Sequence, residues 1–473
     1  MRRRTFTTGL GAALALGACA RRSASESASS DAADREDAFI ADLQERTFRW
    51  FWEQTPHDTG LTPDRWPTPS FSSVAAVGFG LTAYGVGAER GWITRAQALE
   101  RTLNTLRFFR NAPQGDAAAG IIGHRGFFYH FLEAQSGHRF GRTELSSIDT
   151  TLLLGGALFA QSYFDGADPD EAEVRHLAGE IYGRVEWPWM RPRAPLVSMG
   201  WHPENGGAFI PHDWDQYNEA ALLYILALGS PTHPLPDNAW EACASRFERQ
   251  WGARWGEPHL QFAPLFGHQF SHLWIDFRDI RDRFMQGKNS DYFENSRRAT
   301  YAQQAYAVDN PGGFRDYGET IFGLTACDGP GDFVHQIDGR PHQFFSYSAR
   351  GPGERDDGTL APTALGGSIP FAPEITIPAL KEMRRRYGDA LYTRYGFLDS
   401  VNPTLRDASV PLLHGRIAGD MWVNGDYLGI DQGPIVCMIE NWRSGLIWNV
   451  MRRNAHIRRG LERAGFTGGW LAG

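Results

Sequence analysis

Six stretches of this chain are apolar or small on nearly all sides of a helix: 73–87 (SVAAVGFGLTAYGVG), 147–161 (SIDTTLLLGGALFAQ), 216–229 (QYNEAALLYILALG), 316–326, 361–371 and 434–450. A helix without a polar stripe has to be surrounded by protein. Between these stretches lie helical patterns that are polar on one face, at 37–53, 94–111, 169–185, 238–251 and 374–388, with 290–307 as a further candidate. Strand-like alternation is scarce. The arrangement predicts an all-α fold, an (α/α)6 toroid of helical hairpins. Amphipathic helices would form its outer ring and apolar ones its lining. No short repeat marks the hairpins, so the expectation rests on the burial pattern alone. The connections at 55–72, 112–146, 186–215, 253–289, 328–360 and 389–433 are long and rich in Gly and Pro, as functional loops are.

The first residues do not belong to that ring. "MRRRTFTTGLGAALALGACA" joins a basic head to an apolar run too short to span a bilayer. Arg3-Arg4-Thr5-Phe6 resembles a twin-arginine signal, and Leu16-Gly17-Ala18-Cys19 resembles a bacterial lipobox. The expectation is an export signal over 1–19, lipidation at Cys19, a flexible tether over 20–36, and a catalytic domain over 37–465. The protein would be held in the cell envelope, at the periplasm or outer membrane, by that lipid.

A formal charge of −8 gives no footprint for nucleic acid. Beyond Cys19 the thiols are Cys243, Cys327 and Cys437, an odd and widely spaced set that suggests buried free cysteines. No motif calls for a metal or cofactor, and a monomer is expected.

Carboxylates gather where the apolar helices begin. "ELSSIDTTLLL" offers Ser146 or Ser147 as N-cap, Asp149 in the first turn and Glu144 just outside. "DWDQYNEAALLYIL" offers Asp213 or Asp215 as N-cap and Glu219 in the first turn. "NGDYLGIDQGPIV" places Asp426 and Asp431 ahead of Pro434, a residue suited to the first helical position. Any one of these acids could simply cap N–H groups and complement the helix dipole. In a toroid, however, the inner helices run parallel and their N-termini converge on one face. Opposed carboxyl groups with different proton affinities are the equipment for hydrolysing a glycosidic bond. Trp201, Trp214 and Tyr217 are candidates to stack on a sugar there, and His130 to bind a hydroxyl. Glu440, well inside its helix and three residues from Arg443, has the spacing of a structural ion pair.

The blocks "LQERTFRWFWE", "GFGLTAYGVGAERGWITRAQA", "YNEAALLYILALGSPTHPLP", "YGETIFGLTACDGP", "DDGTLAPTALGGSIPFAPE" and "IDQGPIVCMIENWRSGLIW" resemble the bacterial glucoamylase-like proteins of glycoside hydrolase family 144. The similarity runs from about residue 38 to 460. It implies an (α/α)6 barrel and hydrolysis of β-1,2-glucan, or its oligosaccharides, with inversion. Some members act within the chain and others release sophorose from its end. Position by position, Glu219 matches the family's general acid, and Asp149 and Asp431 match further site acids, with the choice of water-activating group open. Asp431, expected in a wet turn before its helix, would stay ionised and act as base. Asp149 and Glu144 would then position hydroxyls or the water, aided by His130, Trp214, Tyr217, Trp201 and Asp426. The segment 331–356 is longer than in relatives, and Phe344, Phe345 and Tyr347 are expected to wall one end of the cleft with it. Two other readings share the fold: a glycan-binding surface lipoprotein, and a polysaccharide lyase or epimerase. A lyase suits an acidic polymer and a basic cleft, which an excess of acids disfavours.

Overall fold

A computed structural model describes residues 37–472. Cys19, the export signal and the tether lie outside them. In chain order the helices used here are α1 (Ala38–Gln54), α2 (Val74–Glu89), α3 (Arg95–Asn111), α4 (Ser147–Tyr163), α5 (Pro169–Gly183), α6 (Ala221–Gly229) and α7 (Ala239–Ala244). They continue as α8 (Phe270–Trp274), α9 (Tyr292–Asp309), α10 (Pro362–Gly366), α11 (Pro373–Leu391), α12 (Gly429–Arg443), α13 (Leu446–Met451) and α14 (Ala455–Arg463). From α1 to α12 the odd helices keep a solvent face and the even ones are buried throughout or nearly so. This is the (α/α)6 toroid, and it is built as the apolar pattern requires.

Local sequence starts the helices. Asp37 accepts from the Phe39 and Ile40 amides at α1, and Thr94 and Gln97 form a capping box at α3. Pro169 opens α5 behind its Asp168 cap. Small residues let the inner helices touch. A Cβ on Gly78 of α2 would stand 2.1 Å from the Leu152 carbonyl oxygen of α4, so the two helices meet backbone to backbone. The ring closes where Gln44 of α1 donates to the Val436 carbonyl (3.2 Å) and to Glu440 (2.9 Å) of α12.

Several expected boundaries move. Segment 316–326 is not a helix, because Asp316 and Gly323 sit at φ +69° and +128° and break any helical path. The remaining inner helix is α8, inside a stretch read as loop. At five residues it is too short to display a 3.6-residue period. Its Trp274 stacks on Phe79 of α2 with centroids 5.4 Å apart, and Asn441 of α12 donates to the Leu273 carbonyl at 2.9 Å. The candidates 238–251 and 361–371 shrink to α7 and α10, while 290–307 is α9. α12 begins five residues before Pro434, and Gly445, at φ +70°, separates it from α13.

Short strands shape the loops between the helices. β1 (Gly123–His124), β2 (Phe127–Tyr129), β3 (Leu145–Ser146), β4 (Gly200–His202) and β5 (Ala208–Phe209) form an antiparallel sheet in that order. The long 328–360 loop carries a hairpin, β6 (Phe333–Ile337) with β7 (Arg340–Phe344). β8 (Val401–Asn402), β9 (Arg416–Ala418) and β10 (Met421–Val423) pair in the order β8-β10-β9. Cys243, Cys327 and Cys437 are buried and free.

Candidate active site

β3 runs straight into α4, so Ser146 is both the last strand residue and the N-cap. Its hydroxyl accepts the Asp149 amide (3.1 Å) and donates to Asp149 Oδ2 (2.5 Å). β2 delivers His130 to the same spot: Nδ1 lies 2.8 Å from Glu144 Oε1 and Nε2 lies 3.5 Å from Asp149 Oδ1. Burial opposes a charge on this ring, yet Asp149, the hydrogen-bonded Glu144 and Asp64 outweigh it and lift its pKa to about 9. Glu144 is held below its ordinary value, because its bond to His130 overcomes the burial penalty. Asp149 goes the other way: burial pushes it up despite His130 and Ser146. Among the described residues these three side chains also bring ligand atoms within 4.8 Å of one another, as a metal site would. With a pKa of about 9, however, the imidazole favours holding both protons at neutral pH, each toward a carboxylate, and a ligand role would require it to give one up.

Glu219 stands in the turn before α6, two residues ahead of the helix and not inside its first turn. Ser271 fixes that turn by donating to the Glu219 carbonyl (2.7 Å) and accepting the Leu222 amide (2.9 Å). The Glu219 carboxyl is buried, and Oε2 has no hydrogen-bond partner. Burial, against its own amide and with added repulsion from Asp149, raises the pKa to about 7. A carboxylic acid that titrates near neutrality, with one oxygen unpartnered, can hold a proton and donate it.

Asp431 departs from expectation. It lies in the first turn of α12 and is 4% exposed, so the wet, ionised turn foreseen for it does not exist. Burial and then the neighbouring Asp399 raise its proton affinity well above the ordinary value, and the two carboxyl groups are hydrogen-bonded to each other. Around them stand Asp328, reached by Arg65 at 2.7 Å, and Asp64, 3.3 Å from the same guanidinium. Asn424 donates to both Asp328 and Asp399 at 3.2 Å. Paired strands Arg65–Trp66 and Tyr427–Leu428 bring the Asp64 loop onto the mouth of α12. Asp64 and His130 are within electrostatic reach of each other, so one belt of acids runs from Glu219 through Asp149 and His130 to Asp431.

Sequence reasoning missed Asp64, Arg65, Asp328, Asp399 and Asn424. Each sits in a Gly- or Pro-bearing loop where an Asp or Asn also reads as a turn former, and only the fold gathers them.

Four expected sugar contacts are packed instead. Trp214 is 6% exposed and donates Nε1–H to Ser147 (2.9 Å), and Tyr217 is 3% exposed and stacks on Tyr292. Trp201 packs against His124 and Trp189, and Asp426 accepts the Thr68 amide at 2.8 Å. Asp213 and Asp215 cap nothing: they pair with Arg193 and Arg246. Open aromatic surface lies elsewhere. Phe131 stacks on His130, and Phe71 and Phe140 extend that platform, with Phe140 40% exposed. Of the three loop aromatics, Phe344 is buried with Leu405 and Trp422, and Phe345 lies under Arg355. Tyr347 is 47% exposed as a residue, and burial at its hydroxyl end, followed by the nearby Asp431, Asp399 and Asp64, pushes its pKa up.

Glu440 is structural in its contacts. It takes Arg90 in a two-pronged pair (2.7 and 2.8 Å) and accepts from Gln44 and Ser444, while Arg443 joins the cluster through Gln44. It lies nine residues, or about 13 Å, along α12 from Asp431.

A family model named Glycoamylase, described as "Putative glucoamylase", matches residues 211–455. A protein of the same description from Bacteroides uniformis shares the fold with a TM-score of 0.78 and 30% identity, over 92% of this chain and 98% of its own. An endo-β-1,2-glucanase from Chitinophaga pinensis superimposes with a TM-score of 0.75 and 26% identity, over 92% of this chain and 99% of its own. An exo β-1,2-glucooligosaccharide sophorohydrolase (non-reducing end) of Parabacteroides distasonis is 28% identical over 452 residues, 89% of this chain. The chain spans 57% of that relative's length.

Proposed function

The chain belongs to the Glycoamylase family, and on that premise we propose that it is an inverting glycoside hydrolase acting on β-1,2-glucan or its oligosaccharides. The observation that carries the reading is Glu219, a buried carboxylic acid with an unpartnered Oε2, whose pKa of about 7 lets it hold a proton near neutral pH. It faces a belt of carboxylates able to receive one. Glu219 donates to the leaving glycosidic oxygen, and the acids on the Asp431 side of the belt take the proton of the attacking water. Where the two stand further apart than the roughly 6.5–9.5 Å of direct inversion, a substrate hydroxyl or a second water links them. Glu144 and Asp149, fixed by His130 and Ser146, position hydroxyls between them. The Phe71–Phe131–Phe140 platform supplies a stacking face. β-1,2-Glucan as substrate is supported by the activities named for the Chitinophaga and Parabacteroides relatives.

The finer mode of action is part of the proposal. Tyr347, carried beyond the β6–β7 hairpin, overhangs the Asp431 side of the belt. A cleft closed on that side admits a chain end and yields mainly one short product. Lipidation at Cys19, with residence in the cell envelope, completes the reading and is supported by the order of basic head, apolar run and lipobox. Incubating the protein with linear β-1,2-glucan tests the activity. Shortened chains with inverted anomeric configuration are expected. Bound but uncut polymer would point to a glycan binder, and unsaturated ends to a lyase.

A further inference from the structure

Asp399 was not among the acids legible in the sequence, and the chemistry above gives it no task, yet it is the group most intimately joined to Asp431. Its Oδ2 accepts from the Asp328 amide (2.9 Å) and the Asn424 amide (3.2 Å), while the single Ser400 hydroxyl proton goes to the nearer Asp328 carbonyl (2.7 Å). Its Oδ1 is buried without any donor, and so is Oδ2 of Asp431. These orphaned oxygens belong to two carboxyl groups in hydrogen-bond contact. Two anions cannot share such a contact in a buried site, so one proton lies between them. The asymmetry of the donors says where. Two N–H donors stabilise the charge on Asp399, while no N–H donor among the described residues reaches the Asp431 carboxyl, so Asp431 carries the proton and Asp399 the charge.

A protonated Asp431 cannot be a simple base, and this constrains the hydrolysis. Resting on the glycosidase reading above, we infer that Asp399 is the final proton acceptor of the reaction, working through Asp431. The O–H bond of the attacking water, or of the hydroxyl that activates it, breaks and its proton binds the free oxygen of Asp431. In the same step the proton already on Asp431 crosses to Asp399. Asp431 ends protonated as it began, Asp399 ends neutral, and Glu219 has given its proton to the leaving oxygen. The count of protons balances, and product release with loss of the proton to solvent resets the pair. Asp399 acts on the substrate only through Asp431.

The surroundings fit this division. Arg65 and Arg350 lie within electrostatic reach of Asp399 and favour its charge against burial and Asp328, while Asp328 and Asp64 disfavour a second charge on Asp431. Asp399 is also fixed from behind, its amide donating to the Asp426 carbonyl at 3.0 Å. That contact gives the buried Asp426 segment a supporting part in the site.

Asp399→Asn tests the inference. An Asn amide would donate to Asp431 and hold it ionised, a weaker and simpler base. The acidic limb of the kcat profile should move to lower pH by a unit or more, with kcat at the optimum down about tenfold or more. Asn424→Ala removes a donor from Asp399 and should move the same limb to higher pH, so a fold lost in one variant leaves the other to decide. A readout without turnover separates this inference from the glycosidase reading. Infrared spectra of Glu219→Gln protein at neutral pH should contain a protonated-carboxyl band that disappears in Glu219→Gln/Asp399→Asn. Identical spectra, or a pH profile that neither variant moves, would overturn the shared proton. Wild-type protein that cuts no glucan would sink the hydrolase reading while the spectra still decide the pair.

Discussion

His130 and Asp149 stand 3.5 Å apart, Nε2 to Oδ1, with the other imidazole nitrogen 2.8 Å from Glu144. A cation is thereby installed at the mouth of α4, beneath the Phe71–Phe131–Phe140 platform. The arrangement has consequences for folding as well as for binding.

The His130 pKa rises from 6.5 in the unfolded chain to about 9 in the fold. Its stabilising contribution is therefore complete below about pH 6.5 and is lost as pH rises through 9. Thermal melts of wild type and His130→Gln should differ most at pH 6, by roughly 1–3 kcal/mol, and converge by pH 10. A gap that ignores pH would mean the ring is not charged by its carboxylates.

Glu440 gives a contrast within the same helix. Its carboxylate is 1% exposed and meets Arg90 through two hydrogen bonds. Glu440→Gln should cost about 3 kcal/mol in urea unfolding, as loss of one partner from a buried ion pair does. The turnover of the folded variant should stay within a few-fold of wild type. A large loss of kcat with unchanged stability would place Glu440 in the chemistry.

The pattern of helices was legible because burial writes itself into composition. α2, α4 and α12 are visible as runs with no polar face, and Glu219, Asp149 and Asp431 are visible as acids at the starts of such runs. What the sequence hid is of two kinds. α8 is too short for periodicity to register, and its place in the ring depends on Trp274 finding Phe79 and the gap left by Gly155. Asp399 and Asp328 sit in loops separated by 71 residues and meet through the Asp328 amide, which donates to Asp399, and through Asn424, which donates to both. Trp214 and Tyr217 misled for the reverse reason: large aromatics near a site acid are as useful for packing its loop as for holding a sugar.

Tyr347 tests the closed end of the cleft. Tyr347→Ala should broaden early products on long β-1,2-glucan from one short oligosaccharide toward a ladder, read by chromatography in the first minutes of digestion. An even ladder already present in wild type would mean that the hairpin loop does not block the chain.

Cys19 tests localisation. Cys19→Ser should leave the protein in the soluble fraction or unprocessed, since an acyl anchor grips by its buried methylenes. Unchanged membrane association would show that Cys19 carries no lipid.

The central claim is that Glu219 delivers the proton to the leaving sugar. Its pKa of about 7 means that turnover should fall as pH rises through neutrality, when the acid loses that proton. The direct measurement is kcat of Glu219→Gln on linear β-1,2-glucan, alongside calorimetric binding of the same polymer. The account predicts a loss of about 10²–10⁴ in kcat with binding retained. A variant that turns over glucan at near wild-type rate, with its basic limb unmoved, would contradict it.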